Sequence, residues 1–148
     1  KNFPDYKLLI IGKGKKKKNL IHIIKKYDLK KNVRILDFRD PKKYYQKAKL
    51  FVLSSYFEGL PNVLLEAMSN GLPIVSSDCL SGPREILKNS KYGYLFEVND
   101  VNDCVKKINN ALNNYSLSIK KAKNGFKNLK NISLEKQCNN YLRSLEKI

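Results

Sequence analysis

The sequence contains no tryptophan, one methionine, one histidine and three cysteines. With His22 as its lone histidine, it has no Cys/His cluster at metal-ligand spacing, so no metal site is expected. His22 falls in a helical stretch without a partner motif and reads as structural or simply exposed. Cys79, Cys104 and Cys138 are odd in number and have no paired spacing. They suit reduced thiols in a cytosolic protein. No apolar run approaches the roughly 18–20 residues needed to cross a bilayer. The first residues, Lys1-Asn2-Phe3-Pro4-Asp5, lack the apolar h-region and small-residue cleavage site of a signal peptide. Acidic residues are scarce: 13 Asp and Glu stand against 30 Lys and Arg, a formal net charge of +17.

That surplus fits nucleic acid, an anionic membrane surface or an anionic substrate. Lys, Asn, Ile and Tyr are abundant together, so compositional drift accounts for the number of lysines, though not for where they sit. Attraction to anionic lipid headgroups is the main functional alternative. Lys15 to Lys18 form a local charge run, most simply a solvated loop or helix start. No recognition-helix, zinc or aromatic-basic motif supports a nucleic-acid module, so no nucleic-acid partner is expected. Hydrophobic residues at 42% and charged residues at 29% are ordinary globular composition. A length of 148 residues fits one domain around one core.

Aliphatic runs punctuate the chain. Tyr6 to Ile11 ends at Gly12-Lys13-Gly14 and reads as a buried parallel strand. Val33–Leu36, Leu50–Leu53, Pro73–Ser76 and Tyr94–Phe96 read as four more strands. Between them lie helical patterns: Leu20, Ile21, Ile23, Ile24 and Tyr27 at helical spacing, a short helix within Pro41–Lys49, a helix over Asn62–Asn70 with Leu64, Leu65 and Met68 inward, and a helix starting at Pro83. Alternation with short connections implies βα units, a parallel sheet and a Rossmann-like α/β fold of three layers. In such sheets ligands bind beyond the carboxyl ends of the strands. After Asp100 the sequence is helical to its end, with one stripe at Val101, Val105, Ile108 and Leu112 and another from Leu134 to Ile148.

The informative stretch runs from Ser54 to Leu87, and its first part follows a strand and enters a helix. Gly59 lets a ligand approach the backbone closely. Pro61 suits a first helical position. The free N–H groups at such a helix start form an anion site, and a diphosphate is a natural occupant. Glu58 precedes the helix and Glu66 lies about one turn into it. Carboxylates on both sides of a phosphate site suit a ligand with hydroxyls at both ends, which is the layout of a nucleotide sugar. Spacing alone also permits a bland reading, with Glu66 as a solvent-facing helix residue and Glu58 as a loop acid. Ser81-Gly82-Pro83-Arg84-Glu85 forms a second loop-to-helix start, with Gly82 at N-cap, Pro83 at N1 and Glu85 at N3.

The stretch Glu58-Gly59-Leu60-Pro61-Asn62-Val63-Leu64-Leu65-Glu66, with seven residues between the glutamates, resembles the E-x7-E signature of family-4 retaining glycosyltransferases of the GT-B fold. Leu50 to Ser55, Ser76-Ser77-Asp78 and Tyr92 to Phe96 agree with it, and the likeness spans about residues 6–115. The resemblance implies that Glu58 contacts the donor sugar and that Glu66 holds the ribose hydroxyls. It also implies that the backbone from Gly59 through Leu60, Pro61 and Asn62 to Val63 approaches the sugar and diphosphate, and that the base stacks near Arg34 to Phe38. Asp78 to Glu85 is similar to bacterial members that build lipopolysaccharide cores, capsules and lipid-linked oligosaccharides. The expected partners are a nucleotide sugar, most naturally a UDP-sugar, and a glycan or lipid-linked acceptor. No cofactor is implied, and the expected location is the cytoplasm or the inner face of the cell membrane.

A GT-B enzyme holds its site between two Rossmann-like domains. Residues 1–148 correspond to one of them, the donor-binding domain, and the family's diphosphate-neutralising Arg and Lys are expected upstream of Lys1. The chain is therefore expected to be a piece of a longer enzyme, inactive alone. In this family the last helix often crosses back to the amino-terminal domain, so Leu134–Ile148 is expected to be mobile, packed back or dimer-burying. Two other readings stay open at this point: a sugar-nucleotide epimerase of the same architecture, since fold does not fix reaction, and a basic nucleic-acid-binding module.

Overall fold

Each aliphatic run that stops at a glycine or turn forms a strand in the computed structural model, which describes residues 3–129. The element order is β1 (Leu8–Ile11), α1 (Lys17–Lys26), β2 (Val33–Leu36), α2 (Lys42–Tyr45), β3 (Phe51–Leu53), α3 (Asn62–Ser69), β4 (Ile74–Ser77), α4 (Pro83–Ile86), β5 (Tyr94–Phe96), α5 (Val101–Asn113) and α6 (Tyr115–Asn128). All strand pairings are parallel. The architecture is the expected Rossmann-like α/β type. The chain divides into two units, residues 1–44 and 45–148, and the strands form two sheets rather than one. Cys138 and the stripe from Leu134 to Ile148 lie outside the described residues.

In the first unit β1 and β2 pair in register from Leu8 opposite Val33 to Ile11 opposite Leu36. α1 makes the connection. Leu20 and Ile24 are half-buried, whereas Ile21, Ile23 and Tyr27 are exposed, although all five belong to the same apolar pattern. Lys17 Nζ pairs with an Asp37 carboxylate oxygen at 2.6 Å. This holds the Asp37 carboxyl below its usual range, through the lysine's hydrogen bond first and its charge second.

The second unit is ordered β3-β4-β5, with β4 buried along its whole length. Successive side chains of a strand point to opposite faces, and β4 uses both. Ile74 joins a core with Leu53, Leu64, Ala67, Met68 and Leu87. Val75 joins another with Tyr94, Phe96 and Ala111. A strand covered on both sides is what a continuous apolar run encodes. α3 packs on the first core, while α5 packs on β4 and β5. Among the described residues no helix is long and apolar enough to cross a membrane.

Leu64 and Met68 are buried in the first core as expected, Ala67 joins them there, and half-buried Leu65 packs against it. The α5 stripe is rotated: Val101 and Val105 are exposed, and Cys104, Ile108 and Ala111 face the core. The Asp100 side chain, accepting from Asp103 N at 2.8 Å, sets that start. The described segment after Asp100 is helical as expected, divided at Asn114 into α5 and α6.

Leu64 shows no exposed surface. Leu64→Ala is expected to lower stability by about 2–5 kcal/mol through lost burial and a residual cavity. The midpoint of urea unfolding measures this.

Candidate functional site

The turn after β3 carries residues 54–61 from the carboxyl end of the strand into α3. Short hydroxyl side chains fix it. Ser77, buried on β4, donates from Oγ to the Ser55 carbonyl at 2.6 Å. Ser55 Oγ in turn donates to Glu58 Oε1 at 2.6 Å. Ser81 Oγ donates to the Glu58 carbonyl at 2.6 Å. Glu58 is thus held at its carboxylate and at its backbone, by two different loops.

The second loop comes close because Gly82 has no side chain. Its φ is +87°, and a Cβ placed there would lie 2.7 Å from the Gly59 carbonyl oxygen and closer still to the Pro61 ring. Gly82 is the N-cap of α4, Pro83 follows it in the first turn and Glu85 is the first-turn acid, as the sequence implied. Arg84 donates through Nε to Asp78 Oδ1 at 2.9 Å and through Nη2 to Asp78 Oδ2, tying the ends of this loop. The Asp78 carboxylate raises the Arg84 pKa, through its hydrogen bond first and its charge second. The pair is too exposed to add much stability.

Pro61 sits one position earlier than expected. It is the N-cap of α3, and Asn62 is the first helical residue. Its ψ of 87° is not helical, so the turn ends there and the helix starts after it. No side chain caps α3. The first backbone bond runs from Leu64 N to the Pro61 carbonyl at 2.9 Å, so the N–H groups of Asn62 and Val63 remain available to an anion. Pro61 is fully buried, while Gly59, Leu60, Asn62 and Val63 are exposed.

Glu66 is the fifth residue of α3 and is exposed, yet its carboxylate is not loose. The Tyr45 hydroxyl donates to Glu66 Oε2 at 3.0 Å. Tyr45 is only 8% exposed, and its ring meets Phe51 edge-on at 5.8 Å. Burial, with the Glu66 carboxylate second, pushes its pKa well above the usual phenol value. The hydroxyl therefore stays protonated and remains a donor.

Glu58, Gly59, Leu60, Pro61, Asn62, Val63 and Glu66 all belong to this turn and helix in the second unit. Arg34 belongs to the first unit, as the exposed residue of β2. Sequence reasoning missed Tyr45, Ser55, Ser77 and Ser81 as supports. The serines lie inside the quoted motif stretches, but nothing in the pattern of α2 separates Tyr45 from Tyr44.

Residues 1–128 match the family model described as glycosyl transferases group 1. The chain belongs to that family. It is similar to an uncharacterized glycosyltransferase of Haemophilus influenzae, 35% identical over 118 residues, which is 79% of this chain and 33% of the relative. It is also similar to the Campylobacter jejuni N-acetylgalactosamine-N,N'-diacetylbacillosaminyl-diphospho-undecaprenol 4-alpha-N-acetylgalactosaminyltransferase, 36% identical over 109 residues, covering 73% of this chain and 30% of that protein. A crystal structure of a Staphylococcus aureus TarM mutant in complex with fondaparinux, alpha-GlcNAc-glycerol and UDP aligns with a TM-score of 0.84 at 29% identity, over 93% of this chain and 28% of that one. The chain spans about a third of the length of these curated relatives.

Gly82→Ala is expected to destabilise the chain by about 1–3 kcal/mol, since the added methyl must displace backbone and its φ is strained. Thermal unfolding measures the loss.

Proposed function

We propose that residues 1–148 form the donor-binding domain of a retaining glycosyltransferase. It moves a hexose or N-acetylhexosamine from a nucleotide sugar, with UDP as the nucleotide, to a glycan or lipid-linked acceptor. One observation carries this reading: Glu58 and Glu66, four residues before and four after Asn62, are each held by a protein hydroxyl, and the α3 start between them is uncapped. The UDP complex of the similar TarM supports the choice of nucleotide. The Campylobacter relative, whose name carries a diphospho-undecaprenol acceptor, supports the acceptor class.

In this reading Glu58 accepts hydrogen bonds from the donor sugar and Glu66 from the ribose. The backbone N–H groups of Asn62 and Val63 face the diphosphate. The acceptor oxygen bonds to the anomeric carbon on the face from which the diphosphate departs. The leaving diphosphate takes the acceptor's proton, so no protein base is required. The protein contributes orientation and stabilisation of leaving-group charge. Glu58 and Glu66 are not the acid and base of a glycosidase, which stand across a scissile bond. The reading places the protein in the cytoplasm, at the inner face of the cell membrane.

Calorimetric titration of UDP and UDP-sugars into the full-length protein tests this. Binding is expected, and its absence overturns the reading. Glu66→Ala is expected to weaken binding by about 1.5–3 kcal/mol, the worth of a charge-assisted hydrogen bond.

Tyr45→Phe keeps the ring and removes the donor that orients Glu66. It is expected to weaken UDP binding by about 0.5–1.5 kcal/mol in the wild-type background. In the Glu66→Ala background it should have no effect, which a double-mutant cycle by the same titration reads.

A further inference from the structure

The charge surplus is unevenly distributed. Residues 1–44 hold fifteen Lys and Arg against four Asp and Glu, so they carry +11 of the net +17. Uniform drift in composition does not produce that concentration. Much of it gathers on and before α1, whose ten residues include no acid and whose approach contributes Lys13, Lys15 and Lys16.

α1 buries none of its residues fully. At about 100° per residue, Lys17, Leu20 and Ile24 form its inner, half-buried side. Lys18, His22, Lys25 and Lys26 take the outer side, and all four are exposed. Ile23 and Tyr27 flank this side along one edge, 45% and 62% exposed, and Ile21 flanks it along the other, 39% exposed. Lys17 is already committed to Asp37. The outer lysines have no such acid within the helix.

Lysines alone would be a solvated face. Aliphatic and aromatic side chains along both its edges are not explained by solvation. A bilayer interface satisfies both sets. Ammonium groups meet lipid phosphates, while Ile and Tyr enter the headgroup boundary beside the lysine stems. A nucleic-acid backbone would take the lysines and leave the isoleucines in water. We propose that the outer face of α1 docks on an anionic phospholipid bilayer. This deepens the membrane part of the proposed function and rests on it, while remaining separable from nucleotide binding.

The test is flotation of the full-length protein with two kinds of vesicle, pure phosphatidylcholine and phosphatidylcholine mixed with phosphatidylglycerol. Binding is expected to the mixed vesicles, weakening as salt rises. The triple variant K18Q/K25Q/K26Q is expected to bind them roughly a hundredfold more weakly, each lysine acting independently near the surface. The matched triple K106Q/K120Q/K123Q, on exposed lysines of α5 and α6, is expected to stay near wild type. I23S/Y27S is expected to lose the part of the binding that survives high salt. UDP affinity should be unchanged in all three variants, which separates docking from the donor site and reports an intact fold.

Equal losses from the two lysine triples would overturn the proposal in favour of attraction by net charge alone. Absence of binding to phosphatidylglycerol vesicles, with UDP binding retained, would overturn it outright. So would tighter binding to duplex DNA than to vesicles, abolished by K18Q/K25Q/K26Q, which would make α1 a nucleic-acid surface.

Discussion

The turn at Ser81 and Gly82 rests directly on the backbone of Gly59 to Pro61, with no space between them for a methyl group. Much of the candidate site depends on that contact. It lets the Ser81 hydroxyl reach the Glu58 carbonyl, and it supports Pro61 where α3 begins. Two loops that follow two neighbouring strands are thereby joined into one surface. Either loop alone would be an exposed connection; together they form a turn whose carboxylate and helix start keep fixed positions.

The sheet beneath makes this possible. β4 is the central strand of the second unit, and its four residues are all buried. Ile74 and Val75 anchor cores on opposite faces, so the strand has no freedom to shift. Its last residue, Ser77, fastens the neighbouring turn through the Ser55 carbonyl. The hydrophobic cores therefore act on the site through a hydroxyl at the end of a buried strand. A polar residue is tolerated at that depth because its hydrogen bond is made.

The strands were legible because apolar runs ended by glycine or turns admit few alternatives, as at Leu8–Ile11 and Ile74–Ser77. The stretch Glu58–Glu66 was legible because its residues are contiguous. Positions fixed by tertiary contact were not. The buried stripe of α5 turned by about one residue, since Val101 and Val105 fit a helical period as well as Cys104, Ile108 and Ala111 do. Pro61 became a cap instead of a first helical residue, its ψ of 87° lying outside the helical range, which no local pattern announces. Tyr45 was hidden for a different reason: its role comes from a residue 21 positions away on another helix, and no local pattern records that. No proline or glycine marks the division between α5 and α6 at Asn114.

The two glutamates share a feature with a kinetic consequence. Each has one carboxylate oxygen engaged by a protein hydroxyl, Oε1 of Glu58 by Ser55 and Oε2 of Glu66 by Tyr45. Both side chains have therefore lost rotational freedom before any ligand arrives. A free glutamate gives up about 0.5–1.5 kcal/mol when it is immobilised in an interface. Here folding has already met that entropy through one oxygen of each carboxylate. On the proposed donor-site reading, a nucleotide sugar meets a prearranged pair, and discrimination among donors rests on hydroxyl geometry and shows in how slowly the right one leaves.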